Sequence, residues 1–478
     1  MADFKKYLKS GVAALALAVA AAVPANADTL GDALVKAYKN SGLLEQNRAL
    51  LRAADEDVAQ AVAGLRPILA YSASITANRE YQSLGPLSAR YDALNETTTA
   101  NLTLSASLLL YDGGASRMGI DVAKEAVLAT RQTLRAAEQT VLLNAVSTYM
   151  TVLATSQIVS LQKNNVNVLD EQLRASRERF DVGEITRTDV ALSEAALATS
   201  NSDLVAAQGD LADARAAYIT DIGEAAGSVS QPKSFPVAVN SVEEALRIAM
   251  RSHPSLIAAQ HAVAQAELNV AIAQAARKPE VSLSASVGTT RYLQEDTTVS
   301  ENNYLNDASV GVKVSGPIYY GGAISSGVRQ AMASRDASRA SLHTTKQSIE
   351  EAVRVAYSAL TQARAARGAA EESIRANTVA YRGVSEEASL GARTTLDVLD
   401  AEQDLLDARA SSITAAANEY IAAYALLSAM GLLNTEYLKL NVPTYDPEAY
   451  YNTVKNAPAV INTRGEKLDE VLRSIGKK

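Results

Sequence analysis

The 478-residue chain has no cysteine and no tryptophan, and only three phenylalanines and three histidines. Without cysteine, disulfides, thiol catalysis and an acylated N-terminal cysteine are excluded. Twenty tyrosines are nearly the whole aromatic supply, too few bulky fillers for a thick globular core. The abundant Ala, Leu and Val suit helices packed closely along their length. There is no nucleotide-binding loop, GxSxG elbow or HExxH zinc motif. The histidines do not cluster: no acid lies between His253 and His261, and His343 is distant, so they read as helix-surface or belt residues. Acidic runs such as Asp55-Glu56-Asp57 read as solvated helix faces rather than catalytic pairs. No enzyme chemistry, cofactor or metal is indicated. Basic residues are also short, 45 against 53 acidic, for a net charge of −8, which disfavours a nucleic-acid partner.

Long apolar runs are missing too, apart from Val12–Val23. That run follows Lys5, Lys6 and Lys9 and precedes Ala25-Asn26-Ala27, the layout of a secretory signal over residues 1–27. A bilayer span needs about 20 residues. Loss of the signal removes three Lys and one Asp and takes the net charge from −8 to −10. If the remaining chain crosses a membrane, it does so with strands.

What is present is a duplication. LYDGG (Leu110 to Gly114) returns as IYYGG (Ile318 to Gly322), Gly183, Asp189 and Val190 as Gly391, Asp397 and Val398, Tyr149 as Tyr357 and Gly223 as Gly431, all 208 positions later. Upstream, Ala33-Leu34 meets Ala245-Leu246 and Arg66-Pro67 meets Lys278-Pro279 at a spacing of 212. The first repeat takes 28–227, with a β-hairpin near 68–111, a long helix near 115–180 and a helix near 188–222. The second takes 228–431, with a hairpin near 280–319, a long helix near 323–389 and a helix near 395–430. Residues 432–478 follow the second repeat as a separate C-terminal segment.

Four stretches alternate strictly. Leu69, Tyr71, Ala73 and Ile75 oppose Ala70, Ser72, Ser74 and Thr76, and Leu102, Leu104, Ala106, Leu108 and Leu110 oppose Asn101, Thr103, Ser105 and Ser107. Residues 281–287 and 308–314 repeat the pattern. Each is a strand with one apolar face, about ten residues long, as a tilted transmembrane strand requires. A soluble sandwich would also give this alternation, but its core usually recruits Phe, Trp or Ile. Four strands cannot close a barrel, so several chains would share one. Tyr81, Tyr91, Tyr292 and Tyr304 are candidates for an interfacial girdle.

From Gly114 to Gly183 and from Gly322 to Gly391 the chain runs 69 residues without proline, enough for helices of about 100 Å. Heptads run through Val190, Leu197, Leu204, Leu211 and Tyr218, and through Leu399, Leu406, Ile413, Tyr420 and Leu427. In the first long helix Ile120, Val127, Leu134 and Val141 are followed, after an 11-residue stutter, by Val152, Val159, Val166, Leu173 and Phe180.

The signal, the duplicated helix-hairpin-helix halves, YDGG and YYGG, and the turns VGEITRTDV and LGARTTLDVLDA together resemble the TolC family of outer-membrane exit ducts. The resemblance covers nearly the whole mature chain. It implies an α+β membrane protein: a homotrimer whose three sets of four strands close a 12-stranded β-barrel, continued by a long α-helical coiled-coil tunnel in the periplasm. It implies outer-membrane lipid around the barrel, a belt from segments near 29–40, 228–252 and 432 onward, and no cofactor. Its partners would be a periplasmic adaptor protein and an inner-membrane ABC or proton-driven transporter. Gly183, Glu184, Gly391 and Ala392 would form the adaptor-docking turns at a closable entrance. Asp397 and Asp400 look like the acidic rings that narrow it and favour cations. Arg393 looks like the residue that reaches Thr188 of a neighbouring helix pair, beside Asp189, to hold it shut. Where the family has a gate Tyr facing Asp189, this chain has Ala388. An exposed polar link is weak alone, and three tied by symmetry give a bias that adaptor binding can overturn.

The same residues have a plainer role. Thr186 with Asp189 and Thr394 with Asp397 are helix N-terminal capping patterns. Asp400 lies past the first turn, where the first copy has Leu192, and capping does not account for it. Heptads and secretion alone would also fit a non-channel periplasmic coiled-coil adaptor or scaffold, which would not conduct across a bilayer. Cargo, protein or small toxic compound, is not legible.

Overall fold

A computed structural model describes residues 28–82, 93–232, 235, 239–293, 304–443 and 445–457. The signal segment, Tyr91, the side chain of Tyr81 and the tail after residue 457 lie outside the described residues. The elements are α1 (Leu30–Asn40), α2 (Gly42–Ala63), β1 (Ile68–Gln82), β2 (Ala93–Tyr111), α3 (Ala115–Asp181), α4 (Arg187–Ile222), α5 (Val242–Ser252), α6 (Pro254–Ala275), β3 (Glu280–Tyr292), β4 (Tyr304–Ser315), α7 (Ala323–Ser389), α8 (Thr395–Ala429) and α9 (Pro447–Val454). The two long helices are 67 residues each. The strands, at 15, 19, 13 and 12 residues, exceed the ten-residue alternating cores. Pairing persists beyond the apolar stretch because the ladder is made by backbone N–H and C=O groups, and the Thr-rich segment Thr97–Thr99 suits a strand.

The chain divides into two compact units. One comprises the segment up to Arg48, Gln132–Ile257 and Thr344–Tyr445; the other comprises Ala49–Arg131, Ala258–His343 and the segment from Asp446 onward.

In the first unit, α1 opens with a capping box from Thr29 and Asp32 and buries Leu30, Ala33, Leu34, Ala37 and Tyr38. Tyr149, fully buried in α3, donates its hydroxyl toward the carbonyls of Asp28 (2.8 Å) and Ser230 (2.6 Å), beside a parallel bridge between Asp28 and Val229. Its repeat partner Tyr357 reaches the Asn240 carbonyl at 3.3 Å. A buried tyrosine hydroxyl needs such an acceptor, and here it ties the Asp28 and Ser230 segments to α3.

The α3–α4 seam differs from the heptad expectation. Leu211 and Tyr218 are buried, but Val190, Leu197 and Leu204 are only half-buried. The residues fully inside are instead Ser193, Ser200, Ala207 and Ala214, a second heptad of small side chains. Ser176 and Ser193 hydroxyls lie 3.2 Å apart, and the Asn165 amide donates to Ser200 at 3.0 Å. Small residues let the backbones approach, and the buried hydroxyls are satisfied across the gap. Phe180, the last expected heptad residue, is exposed near the turn.

In the second unit the four strands form one antiparallel sheet in the order β1-β2-β3-β4. β2 and β3 are neighbours although helices α3 to α6 separate them in sequence. A bulge between Leu109 and Tyr111 sets Tyr111, not Leu110, opposite Val281. Alternation alone put Leu110 on the apolar face; an inserted residue shifts that face by one.

Candidate membrane sheet and entrance turns

The sheet's two faces follow from its register. Tyr71 pairs with Leu104, Leu104 with Val287, Ala106 with Ala285, Leu283 with Val312 and Val281 with Val314, so one face is apolar across all four strands. Ser72 pairs with Thr103, Ser105 with Ser286 and Ser286 with Ser309 on the other. Among the described residues no second layer covers the apolar face: Leu69, Tyr71, Ile75, Val310 and Val314 are 66 to 82% exposed. That removes the sandwich alternative, whose core would bury them. From Leu69 to Ala77 the band spans about 25 Å, the height of a lipid-facing barrel belt.

Charge bounds the band at its hairpin end. Arg79 pairs with Glu96 at 2.7 Å, and the Arg291 guanidinium lies 5.4 Å from the Tyr304 ring. Tyr304 shares the apolar face, as a girdle residue would. Tyr292 does not: one residue from Arg291, it falls on the Ser284 and Ser286 face, because strand side chains alternate. At the helix end of the sheet, Ile318, Tyr319 and Tyr320 are 66 to 104% exposed, with Tyr111 close to half-exposed. The sequence shows these residues only as part of a repeated Gly turn, and their aromatic content is the signal that would have marked a second girdle.

The two entrance turns are built alike. In the first, Gly183 has φ +80, and the N–H groups of Gly183 and Glu184 donate to the carbonyls of Phe180 and Arg179. In the second, Gly391 has φ +79, and Gly391 and Ala392 donate to Ala388 and Glu387. This left-handed glycine cap closes the helix. Thr186 and Thr394 then start the next helix, each in a full capping box with Asp189 or Asp397. Thr186 donates its backbone N–H (2.9 Å) and hydroxyl (2.7 Å) to Asp189; Thr394 does the same to Asp397 at 2.9 and 2.8 Å. These bonds hold both carboxyls below the usual range, led by the Thr186 hydroxyl at Asp189 and by the Thr394 backbone at Asp397.

The turns differ in their ion pairs. Arg179 grips Glu184 in the first, whereas Arg393 donates its Nε to Glu387 at 2.9 Å in the second. Glu387 occupies the repeat position of Arg179, so the charges have exchanged sides. Arg393 is thus engaged within its own turn, while Thr188 and Asp400 are exposed. Asp189 has a contact that sequence reading missed: the Thr395 hydroxyl, at the start of α8, also stabilises its carboxylate. Helices α4 and α8 touch, which brings Thr395 near Asp189.

The sequence profile described as outer membrane efflux protein matches residues 33–223 and 245–432. The chain is 36% identical to the outer membrane efflux protein BepC of Brucella suis, over 90% of this chain and 91% of that protein. The chain belongs to the outer membrane efflux protein family. It is also 26% identical to the outer membrane protein TolC of Escherichia coli, covering 85% of this chain and 83% of that one. The CmeC outer membrane channel of Campylobacter jejuni shares the fold, with a TM-score of 0.71 at 19% identity over 90% of both chains. The protein is an outer-membrane export channel that extends into the periplasm, from a family of channels rather than enzymes.

Two further acids in this efflux protein are buried, Glu402 and Asp55. Glu402, 9% exposed, lines a cavity of about 260 Å³ with Asn164, Tyr381, Arg382 and Arg409, and its Oε2 has no hydrogen-bond partner among the described residues. Burial pushes its carboxyl up. Its repeat counterpart Glu194 lies at the surface paired with Arg177 at 2.8 Å; the second repeat has Ser385 where that arginine would be. Asp55 corrects the reading of Asp55-Glu56-Asp57 as a solvated face: it is fully buried. Position in the run gave no warning, because burial there depends on a segment about 390 residues away. Of the histidines, His261 lies 2.7 Å from Glu125, and His253 accepts from the Ser255 N–H at 3.2 Å.

Proposed function

We propose that three copies of this chain close a 12-stranded barrel from three such four-stranded sheets, and that their helices line a periplasmic tunnel gated at the two turns. The observation that carries this reading is the uncovered apolar sheet face with unpaired edges at β1 and β4. Open edges and exposed Val, Leu and Ile are tolerated together only if lipid covers the face and further strands complete the edges. The channel then takes efflux cargo or secreted protein from a periplasmic adaptor and an inner-membrane ABC or proton-driven transporter. Gly183, Glu184, Gly391 and Ala392 form the docking turns.

Asp397 and Asp400 form the cation-selective entrance in this reading. Asp189 and Asp397 share the capping duty, so capping does not separate them, whereas Asp400 has no capping bond and its counterpart is Leu192. Arg393 exchanging Glu387 for Thr188 of the adjacent pair would couple turn geometry to closure. The test is reconstitution in a planar bilayer. The trimer is expected to conduct, with cation preference lowered roughly tenfold or more by Asp397→Asn with Asp400→Asn, as removal of a focusing charge ring predicts. Asp189→Asn should leave selectivity unchanged. Absence of conductance would defeat the duct reading, and equal effects at both turns would defeat the division between them.

A further inference from the structure

Within the second unit, helix α9 is held by side chains from α2, α3 and the segment that follows α2. The Tyr450 hydroxyl donates to Glu56 at 2.6 Å, and Arg131 reaches Glu448 at 3.3 Å and the Pro447 carbonyl at 3.5 Å. The Tyr451 ring lies 5.5 Å from the Arg131 guanidinium. Arg66 donates to the carbonyls of Ala457 and Asn456, and Val454 is fully buried. Asp55 is enclosed with them, fully buried, and neither carboxylate oxygen has a hydrogen-bond partner among the described residues. An unpaired buried carboxylate is among the costliest groups a protein can hold.

The duplication explains how it arose. Asp55 corresponds to Glu267 at the upstream spacing of 212, and Arg131 to Arg339 at the downstream spacing of 208. In the second repeat Glu267 and Arg339 form an ion pair at 2.6 Å, both about half-exposed. The first repeat holds the same acid and base, but its arginine faces Glu448 and Pro447 of the strap. Arg131 therefore has two alternative acidic partners, one on the strap and one on the helix beneath it.

We propose that the α2–α3 surface around Asp55 and Arg131 is an acid-sensitive docking site for the chain's own C-terminal strap, residues 446–457. Docked, Arg131 holds Glu448 and Asp55 is neutral. Released, Arg131 returns to an ionised, hydrated Asp55 and reproduces the pair seen in the second repeat. The groups acting on Asp55 are Glu56 from its own helix, Arg131 from α3 and Tyr450 from α9, with Arg52 acting on Tyr450 and Glu448 on Arg131. Burial, opposed by Arg131 and assisted by Glu56, pushes the Asp55 carboxyl up from 3.8 to about 6. Docking is thus fully supported below the released-state value and loses that support as pH rises through about 6.

The test uses the full chain in lipid nanodiscs. Because the protein has no cysteine, Gln60→Cys with Thr453→Cys gives a unique spin-label pair, diluted with unlabelled protein so that only distances within one chain are read. The short-distance population is expected to dominate at pH 5 and to fall by pH 8, with a docking constant changed by up to about a hundredfold. Asp55→Asn should keep the strap docked at both values. Glu448→Gln, on the exposed strap, should weaken docking throughout while retaining the pH step, and it keeps the question open to measurement if the buried substitution impairs folding. A wild-type distance distribution identical at pH 5 and pH 8, or a pH step that survives Asp55→Asn, would overturn the proposal.

Discussion

At the scale of single residues, the entrance turns rest on two glycines that no other residue replaces without strain. An alanine at φ near +80 costs about 1 to 2 kcal/mol, and no neighbour crowds the added methyl at Gly183 or Gly391, so the penalty is purely conformational. Gly391→Ala should lower stability by that amount in denaturant titration. Gly383→Ala, eight residues earlier inside α7 with equally open space, should raise it by about 0.5 to 1 kcal/mol. Glu402 supplies a second residue-scale prediction. Its raised carboxyl means that the folded state prefers the proton, so its stability contribution is complete below the ordinary glutamate range and is lost as pH rises through the folded value. Glu402→Gln should melt higher than the parent at pH 8 and gain little at pH 4.5; a melting difference that grows toward acid would have the wrong sign. The glycines, the capping boxes and the position of Asp400 were readable in the sequence because each is a local pattern. The isolation of Glu402 was not, because it depends on which helix face meets α3 and α7.

At the scale of elements, the proline-free stretches between paired glycines announced the two long helices and the turns that end them, but not their contact face. A search for large apolar residues at heptad spacing follows Val190, Leu197 and Leu204, whereas the seam runs three residues later through Ser193, Ser200, Ala207 and Ala214. Hydrophobic spacing is a poor guide when the seam is tight enough to admit only small side chains, and hydroxyls are acceptable there because Ser176 and Asn165 answer them. Ser200→Leu should therefore destabilise the α3–α4 pair by about 1 to 3 kcal/mol through overpacking, even though it improves the apolar pattern. Circular dichroism melts of the purified protein would show the direction. The strands were more legible, since period-two alternation states both faces at once, and only the bulge before Tyr111 and the polar placement of Tyr292 needed the pairing itself.

At the scale of the whole molecule, the decisive relation is between two surfaces of one sheet. Its serine and threonine face can contact water in any setting, but its Leu, Val and Tyr face is uncovered in the single chain and needs a solvent of its own. Lys313 already lies on the polar face, opposite Ser282, showing that a cation is tolerated there. Adjacent residues of β4 thus provide a comparison in which local backbone, depth and strand propensity are nearly constant. Val310→Lys places a charge on the apolar face, where lipid contact near the bilayer centre costs about 2 to 4 kcal/mol. Ser309→Lys places it on the other face at almost the same depth, at little cost if that face lines water. In folding into phospholipid vesicles, the first variant should lose most of its heat-resistant oligomer and the second should retain it. Equal losses would mean that the two faces meet the same environment, and a sheet with lipid on one side and an aqueous channel on the other would no longer be tenable.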